Sequence, residues 1–126
     1  MKSIDPKEIA VLAAEAAEDQ KAENVIILDV RKLTTIADYF LICSGNSPIQ
    51  VRAIASFIEE ELKKVNVRMD HQEGFEEGKW VLLDYGEVIM HIFYHETRLY
   101  YGLEHLWGDA KTVRIPGKKN GKRNRK

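Results

Sequence analysis

The hydrophobic positions in the first half of the chain predict two amphipathic helices. The first begins at Asp5-Pro6, where aspartate can cap the helix and proline suits the first helical position, and it fades near residue 20. The second begins at Ser47-Pro48, and Gln50 stands where it completes a capping box. The apolar residues that recur with the helical period are Ile9, Leu12, Ala13 and Ala16 in the first helix, and Val51, Ile54, Ala55, Ile58, Leu62 and Val65 in the second.

Short apolar runs predict the strands of a sheet. Residues 25–30 and 39–43 are almost wholly apolar, which indicates buried strands, and residues 67–70 are assigned a short third strand. Residues 80–83 and 88–93 form a strand pair with a turn at Tyr85-Gly86, and a last helix runs over residues 96–107, before Gly108. This order predicts an α/β fold with a single mixed sheet of about five strands and helices packed mainly on one face, in one domain over residues 1–110.

The predicted hairpin has two different faces. With a two-residue turn at residues 85–86, Trp80 opposes His91 and Leu82 opposes Ile89. Because side chains alternate along a strand, one face is purely apolar and is expected under the helices; its members are Val81, Leu83, Val88, Met90 and Ile92. The other face is mixed, with Trp80, Leu82, Asp84, Glu87, Ile89, His91 and Phe93. Large aromatic side chains make interface anchors, so the mixed face is predicted to bind a partner or a second copy; burial within the chain is the alternative.

Charge is unevenly distributed along the chain. The net charge is −1, but residues 118–126 hold six lysines and arginines and no acid, which leaves −7 on the remainder after those six are subtracted. Residues 111–126 are therefore predicted to form a basic, flexible tail. Such a tail suits contact with a nucleic-acid phosphate backbone, and a solubilising terminus is the equally weighted alternative.

The residues with catalytic potential do not form a recognisable set. The four histidines are scattered, and His95-Glu96 lacks the second histidine of a zinc-protease helix because Leu99 takes that position. Residues 44–47 resemble the Gly-Ser opening of nucleotidyltransferase folds, but residues 70–72 supply one acid where a two-metal site needs a pair. We therefore predict a nucleotidyltransferase-like sheet without the metal site, no cofactor and no enzymatic activity. A divergent nucleotidyltransferase-like enzyme or nucleotide-binding protein is the alternative.

The sequence favours the cytoplasm as the location of this protein. The N-terminus has no apolar export segment, and no run approaches the length of a membrane span, so no membrane partner is expected. The single cysteine, Cys43, lies in an apolar run and has no partner for an internal disulfide. A buried thiol in a reducing compartment is the expected arrangement.

An ordered set of motifs resembles the Iojap-like ribosome-silencing-factor family. The set opens with Asp38-Tyr39-Phe40, residues 44–47, Glu73-Gly74 and Trp80. Its strongest part covers residues 80–86 and 88–93, and it continues through residues 98–104 to Leu106-Trp107. The resemblance spans about residues 5–110. Single motifs are weak, but their order and spacing together are specific.

The resemblance implies a regulator of translation that performs no reaction. Such a protein binds the large ribosomal subunit through ribosomal protein fourteen and sterically blocks joining with the small subunit, which represses translation under nutrient limitation. The family's partner-binding tryptophan corresponds to Trp80, and strand alternation places Leu82, Asp84, Ile89 and His91 beside it. The resemblance also implies a homodimer off the ribosome, and the basic tail is a candidate for contact with ribosomal RNA. Arg98 and Glu104 are expected to hold the last helix.

Overall fold

The computed structural model describes residues 4–116. In chain order, its helices and strands are α1 (Pro6–Asp19), β1 (Glu23–Asp29), β2 (Tyr39–Gly45), α2 (Pro48–Lys63), β3 (His71–Glu73), β4 (Trp80–Asp84), β5 (Val88–Tyr94), α3 (His95–Tyr101), α4 (Leu103–Leu106) and β6 (Lys111–Val113). Within these residues the strands form one six-stranded sheet in the order β3-β4-β5-β2-β1-β6. β2 and β5 are parallel and the other neighbours are antiparallel, so the sheet is mixed as predicted.

The two long helices begin at the predicted caps and cover one face of the sheet. The Asp5 carboxylate accepts a hydrogen bond from the Glu8 amide, and the Ser47 hydroxyl accepts one from the Gln50 amide. The buried side of α1 is rich in alanine, which lets this helix lie close to α2 and the sheet. The larger core side chains between the helices and the sheet include Ile27, Leu41, Ile54, Ile58, Leu62, Leu83, Met90 and Ile92, all fully buried.

A second, smaller apolar cluster lies on the other face of the sheet. It contains Leu28, Val30, Ala37, Phe40, Ile42 and Phe93, with Leu103 and Trp107 packed against it from the C-terminal segment. The short helices α3 and α4 therefore cover part of this face, while α1 and α2 cover the opposite one. The prediction of helices mainly on one face is confirmed.

The predicted hairpin faces are confirmed, but the predicted register is wrong by two residues. Trp80 pairs with Phe93, and Leu82 pairs with His91. The Tyr85 amide donates to the Val88 carbonyl over 2.9 Å, so the turn residues are 86 and 87. Gly86 has a φ of +86° and takes the first central position, where tight hairpin turns that need one positive φ prefer glycine. Moving the turn by one residue shifts the pairing by two, which leaves each side chain on its predicted face.

Three further predictions are corrected by the structure. Residues 67–70 are not a strand, because the short edge strand begins only at His71. The last helix is two helices, because Gly102 adopts a left-handed conformation with a φ of +55° and ends α3. The sheet also extends beyond residue 110, since β6 pairs with β1 from Lys111 to Val113. The predicted boundary is therefore too early, and the basic residues 118–126 lie outside the described residues.

Replacing Gly86 with alanine should lower the free energy of unfolding by at least about 1 kcal/mol, because alanine is strained at positive φ. An added Cβ has room, since its nearest neighbour would be the Asp70 carboxylate at 3.5 Å. Any loss therefore reports backbone strain. Chemical denaturation measures it, with Gly108→Ala as the control, because Gly108 has no positive φ and similar space. Equal stabilities of the two variants would contradict the turn assigned here.

Candidate partner-binding site

Trp80 lies at the start of β4, on the face of the sheet opposite α1 and α2. Its indole Nε1 donates a hydrogen bond to Nδ1 of His91 over 3.1 Å. Its ring also lies against the rings of Phe93 and Tyr101, with centroids 4.9 and 4.8 Å away. The side chain is half-buried. Trp80 therefore presents part of a firmly oriented indole to solvent.

His91 lies behind Trp80 and supports it. Its side chain is only 6% exposed, and burial lowers its pKa from 6.5 to about 4, so the ring is neutral at pH 7. Because Nδ1 accepts the hydrogen bond from Trp80, the single ring proton belongs on Nε2. The imidazole also meets the ring of Phe40 edge-on, with centroids 5.3 Å apart. His91 thus orients the indole but offers little surface to a partner.

The remaining predicted site residues follow Trp80 along the same face of the hairpin. Leu82, Asp84 and Ile89 are half-buried, so each presents some surface. The Asp84 carboxylate accepts a hydrogen bond from the Gly86 amide over 2.8 Å, which stabilises the turn. Asp84 also pairs with Ile89 across the two strands. The structure therefore brings the five predicted residues together on one face, where His91 contacts Trp80 and pairs with Leu82.

The C-terminal segment covers another part of this face. Phe93 is fully buried, and Trp107 packs edge-on against Phe40 with ring centroids 5.2 Å apart. The alternative of burial within the chain thus holds for only part of this face. The end of β5 is buried within the chain, whereas the Trp80 side chain and the hairpin tip remain accessible.

Several large apolar side chains of α3 and α4 are exposed, and two of them, Tyr100 and Tyr101, lie beside Trp80. The exposed fractions are 73% for Leu99, 82% for Tyr100, 52% for Tyr101 and 76% for Leu106. A continuous helix would place Leu99, Leu103 and Leu106 on one face, but the left-handed Gly102 breaks that alignment. Sequence reasoning did not single out Tyr100 or Tyr101 as site residues. The Tyr-Tyr-Gly sequence inside a predicted helix was the available signal for this break.

Arg98 attaches the exposed C-terminal helices to the sheet. Its guanidinium is buried and donates to the Ser44 hydroxyl over 2.8 Å, to the Asn24 carbonyl over 2.9 Å and to the Glu104 carboxylate over 2.7 Å. Burial alone would raise the pKa of Glu104, but the hydrogen bonds and charge of Arg98 outweigh it and lower that pKa. The expected structural role of Arg98 and Glu104 is confirmed.

The nucleotidyltransferase-like segment is occupied by internal hydrogen bonds. Ser44 accepts from Arg98, and Ser47 caps α2. The Gln50 side chain accepts from the Asn46 amide over 2.7 Å and donates to carbonyls at the end of α1. The side chains of Ser44, Ser47 and Gln50 are thus engaged in capping α2 and in holding α1, α2 and α3 together.

Metal-binding clusters and the single cysteine were the other candidates within residues 4–116. No three histidine, cysteine, aspartate or glutamate side chains converge there to hold a metal ion. Cys43 is buried, and burial raises the pKa of its thiol to about 12, which leaves it unreactive at neutral pH. Across the same residues, no helix combines the length and the apolar character that crossing a bilayer requires.

Comparisons with known proteins agree on one family. The family described as "Ribosomal silencing factor during starvation" matches residues 3–126. The ribosomal silencing factor of Bacillus subtilis is 45% identical over 107 residues, which cover 85% of this chain and 91% of that protein. The corresponding factor of Halalkalibacterium halodurans is 44% identical over 111 residues, covering 88% and 95%. A crystal structure of a Chromobacterium violaceum protein superposes with a TM-score of 0.81 at 40% identity and covers 83% of this chain and 88% of its own.

The burial of neutral His91 predicts a loss of stability in mild acid. Its pKa is about 4 when folded and 6.5 ordinarily, so the unfolded chain binds the proton first as the pH falls. The free energy of unfolding therefore keeps its full value above pH 6.5. It falls as the pH drops towards 4, by on the order of 3 kcal/mol for a pKa shift of this size. Denaturation of wild type and His91→Asn across this range measures it, because asparagine supplies an acceptor that does not titrate. Parallel pH profiles would contradict the assignment.

Replacing Arg98 with methionine should destabilise the fold by roughly 3 kcal/mol, because it leaves buried partners without their donor. Amide hydrogen exchange should accelerate first in α3 and α4. The control is Arg31→Met, since Arg31 forms an exposed ion pair with Asp29 and should lose little stability. If both variants had similar stability and unchanged exchange in α3, Arg98 would not be the attachment described.

Proposed function

We propose that this protein binds the large ribosomal subunit through ribosomal protein fourteen and blocks joining of the small subunit. The proposal follows from its family, because the chain belongs to the ribosomal silencing factors. The block is steric, because a folded domain on the joining face leaves no room for the second subunit. It makes and breaks no covalent bond and needs no catalytic set. The protein acts in the cytoplasm, where it represses translation when nutrients are limiting.

The observation that carries this proposal is the fixed orientation of Trp80. Free aromatic side chains lose rotamer freedom when they enter an interface, and that loss weakens binding. Here the hydrogen bond to His91 and the ring contacts with Phe93 and Tyr101 restrict the indole before any partner arrives. A half-buried, pre-oriented tryptophan has the properties of an interface anchor.

The neighbouring side chains suit the rest of such an interface. Leu82 and Ile89 continue the apolar surface from Trp80 towards the hairpin tip, and Asp84 adds a carboxylate at its margin. An apolar centre with a charged border is the usual composition of a protein interface. We assign Trp80, Leu82, Asp84 and Ile89 to contact with the partner, and His91 to positioning Trp80.

Off the ribosome, the same surface suits a second copy of the chain. Tyr100 is exposed beside Trp80, and Leu99 and Leu106 are exposed on the same two short helices, which is much exposed apolar side chain for a small domain. Self-association would cover these side chains until the ribosomal partner replaces the second copy. The proposed homodimer and the proposed ribosomal complex are therefore alternatives that compete for one surface.

The basic residues 118–126 are proposed to contact ribosomal RNA. Six positive charges within nine residues can neutralise phosphates without a defined fold. This contribution depends strongly on salt, whereas the contribution of the apolar surface around Trp80 does not. Binding that survives moderate salt therefore reports the folded domain.

Replacing Trp80 with alanine should weaken binding to isolated large subunits by at least about 30-fold, which corresponds to the roughly 2 kcal/mol expected of an anchor. The matched control is Ile49→Ala, because Ile49 is 73% exposed and lies at the start of α2, in the opposite layer. Co-sedimentation at moderate salt measures both variants, and chemical denaturation verifies that they are folded. Equal binding by folded Trp80→Ala would place the contact elsewhere, and no binding by the wild type would refute the proposed function.

A further inference from the structure

A groove of about 570 Å³ lies beside Trp80, between the start of β4 and α3. Four of the side chains that line it are aromatic: Trp80, Tyr94, Tyr100 and Tyr101. The rings of Trp80 and Tyr101 have centroids 4.8 Å apart. Those of Tyr100 and Tyr101 are 5.0 Å apart and nearly perpendicular, at 87°. The rings therefore form a corner, and the groove continues directly from the proposed interface.

Two carboxylates stand at the same groove. Glu77 and Glu96 line it and are exposed, and neither has an ion pair or side-chain hydrogen bond among the described residues. Lys79 also lines the groove, so the carboxylates outnumber the cation by two to one. An anion such as phosphate would be repelled here. A cation would meet both the negative faces of aromatic rings and free carboxylates.

We propose that this groove receives one arginine side chain of the protein partner. A guanidinium is planar and stacks on aromatic faces while its edges donate to carboxylates, whereas a lysine ammonium offers only a compact charge. The aromatic rings of the groove match the flat face of the guanidinium, and its carboxylates match the N–H donors along the guanidinium edge. The inference rests on the proposed function for the identity of the partner, and it specifies what part of that partner enters beside Trp80.

The net negative charge of the domain also favours a positively charged occupant. Residues 1–117 together carry a net charge of −7, so the body of the chain attracts a basic surface. An apolar side chain would also contact the aromatic rings, but it would leave both carboxylates without a partner. A basic side chain is the occupant that uses every feature of the groove.

The direct test titrates the full chain with N-acetyl-arginine methylamide and follows the Trp80 indole and Tyr100 ring signals by NMR. N-acetyl-citrulline methylamide has nearly the same shape without the charge and serves as the ligand control. The expected result is a saturable shift with the arginine probe below about 100 mM, and at least fivefold weaker binding of citrulline. Equal binding of the two probes, or no saturable shift with arginine, would overturn the proposal.

A paired variant tests the same groove on the ribosome. Glu77→Gln combined with Glu96→Gln keeps the shape of both side chains and should weaken binding of the arginine probe and of large subunits about fivefold, with a shallower salt dependence. Glu60→Gln, an exposed change on α2, is the matched control and should leave both unchanged. If the paired variant binds large subunits like the wild type, the groove proposal fails and the proposed function stands. If the wild type does not bind subunits, the proposed function fails, and the titration still decides the groove.

Discussion

The buried guanidinium of Arg98 is the interaction on which the candidate surface depends. It joins α3 to the ends of β1 and β2 through Asn24 and Ser44, and it fixes α4 through Glu104. α3 carries Tyr101, whose ring lies against Trp80. Without this attachment, two short helices with largely exposed apolar side chains would have little to hold them on the sheet. The position of Trp80 relative to Tyr101 therefore depends on a buried charge one helical turn away on α3.

A buried polar pair beneath Trp80 then sets the direction of the indole. Apolar packing alone would hold the ring against Phe93 without specifying its rotation, whereas the hydrogen bond to His91 requires Nε1 to point inwards. The histidine must stay neutral to accept that bond, and its burial ensures this. The site thus consists of a fixed aromatic side chain, with exposed tyrosines and leucines on one side and the apolar hairpin surface on the other.

The sequence predicted those features that depend on neighbours along the chain. Asp5 and Ser47 cap their helices as expected, because capping acts over three residues. The hairpin faces were also predictable, since side chains alternate between the two faces of a strand, and moving a two-residue turn by one position keeps those faces. The register was not, because the sequence allows Gly86 at either central position of the turn, and only the Tyr85–Val88 hydrogen bond decides between them. Two partners of Arg98, Ser44 and Asn24, lie 54 and 74 residues away, so no local pattern could reveal them. The three-residue strand β6 depends on the same kind of distant pairing, with β1.

The central claim is that this protein acts as a stoichiometric obstacle. The most direct test mixes purified large and small ribosomal subunits with increasing amounts of the full chain and measures joined ribosomes by sedimentation. We expect joining to fall in proportion to the protein added and to be abolished near one copy per large subunit. Undiminished joining at full occupancy of the large subunit would contradict a steric block. Loss of joining at far less than one copy per subunit would indicate a catalytic activity instead.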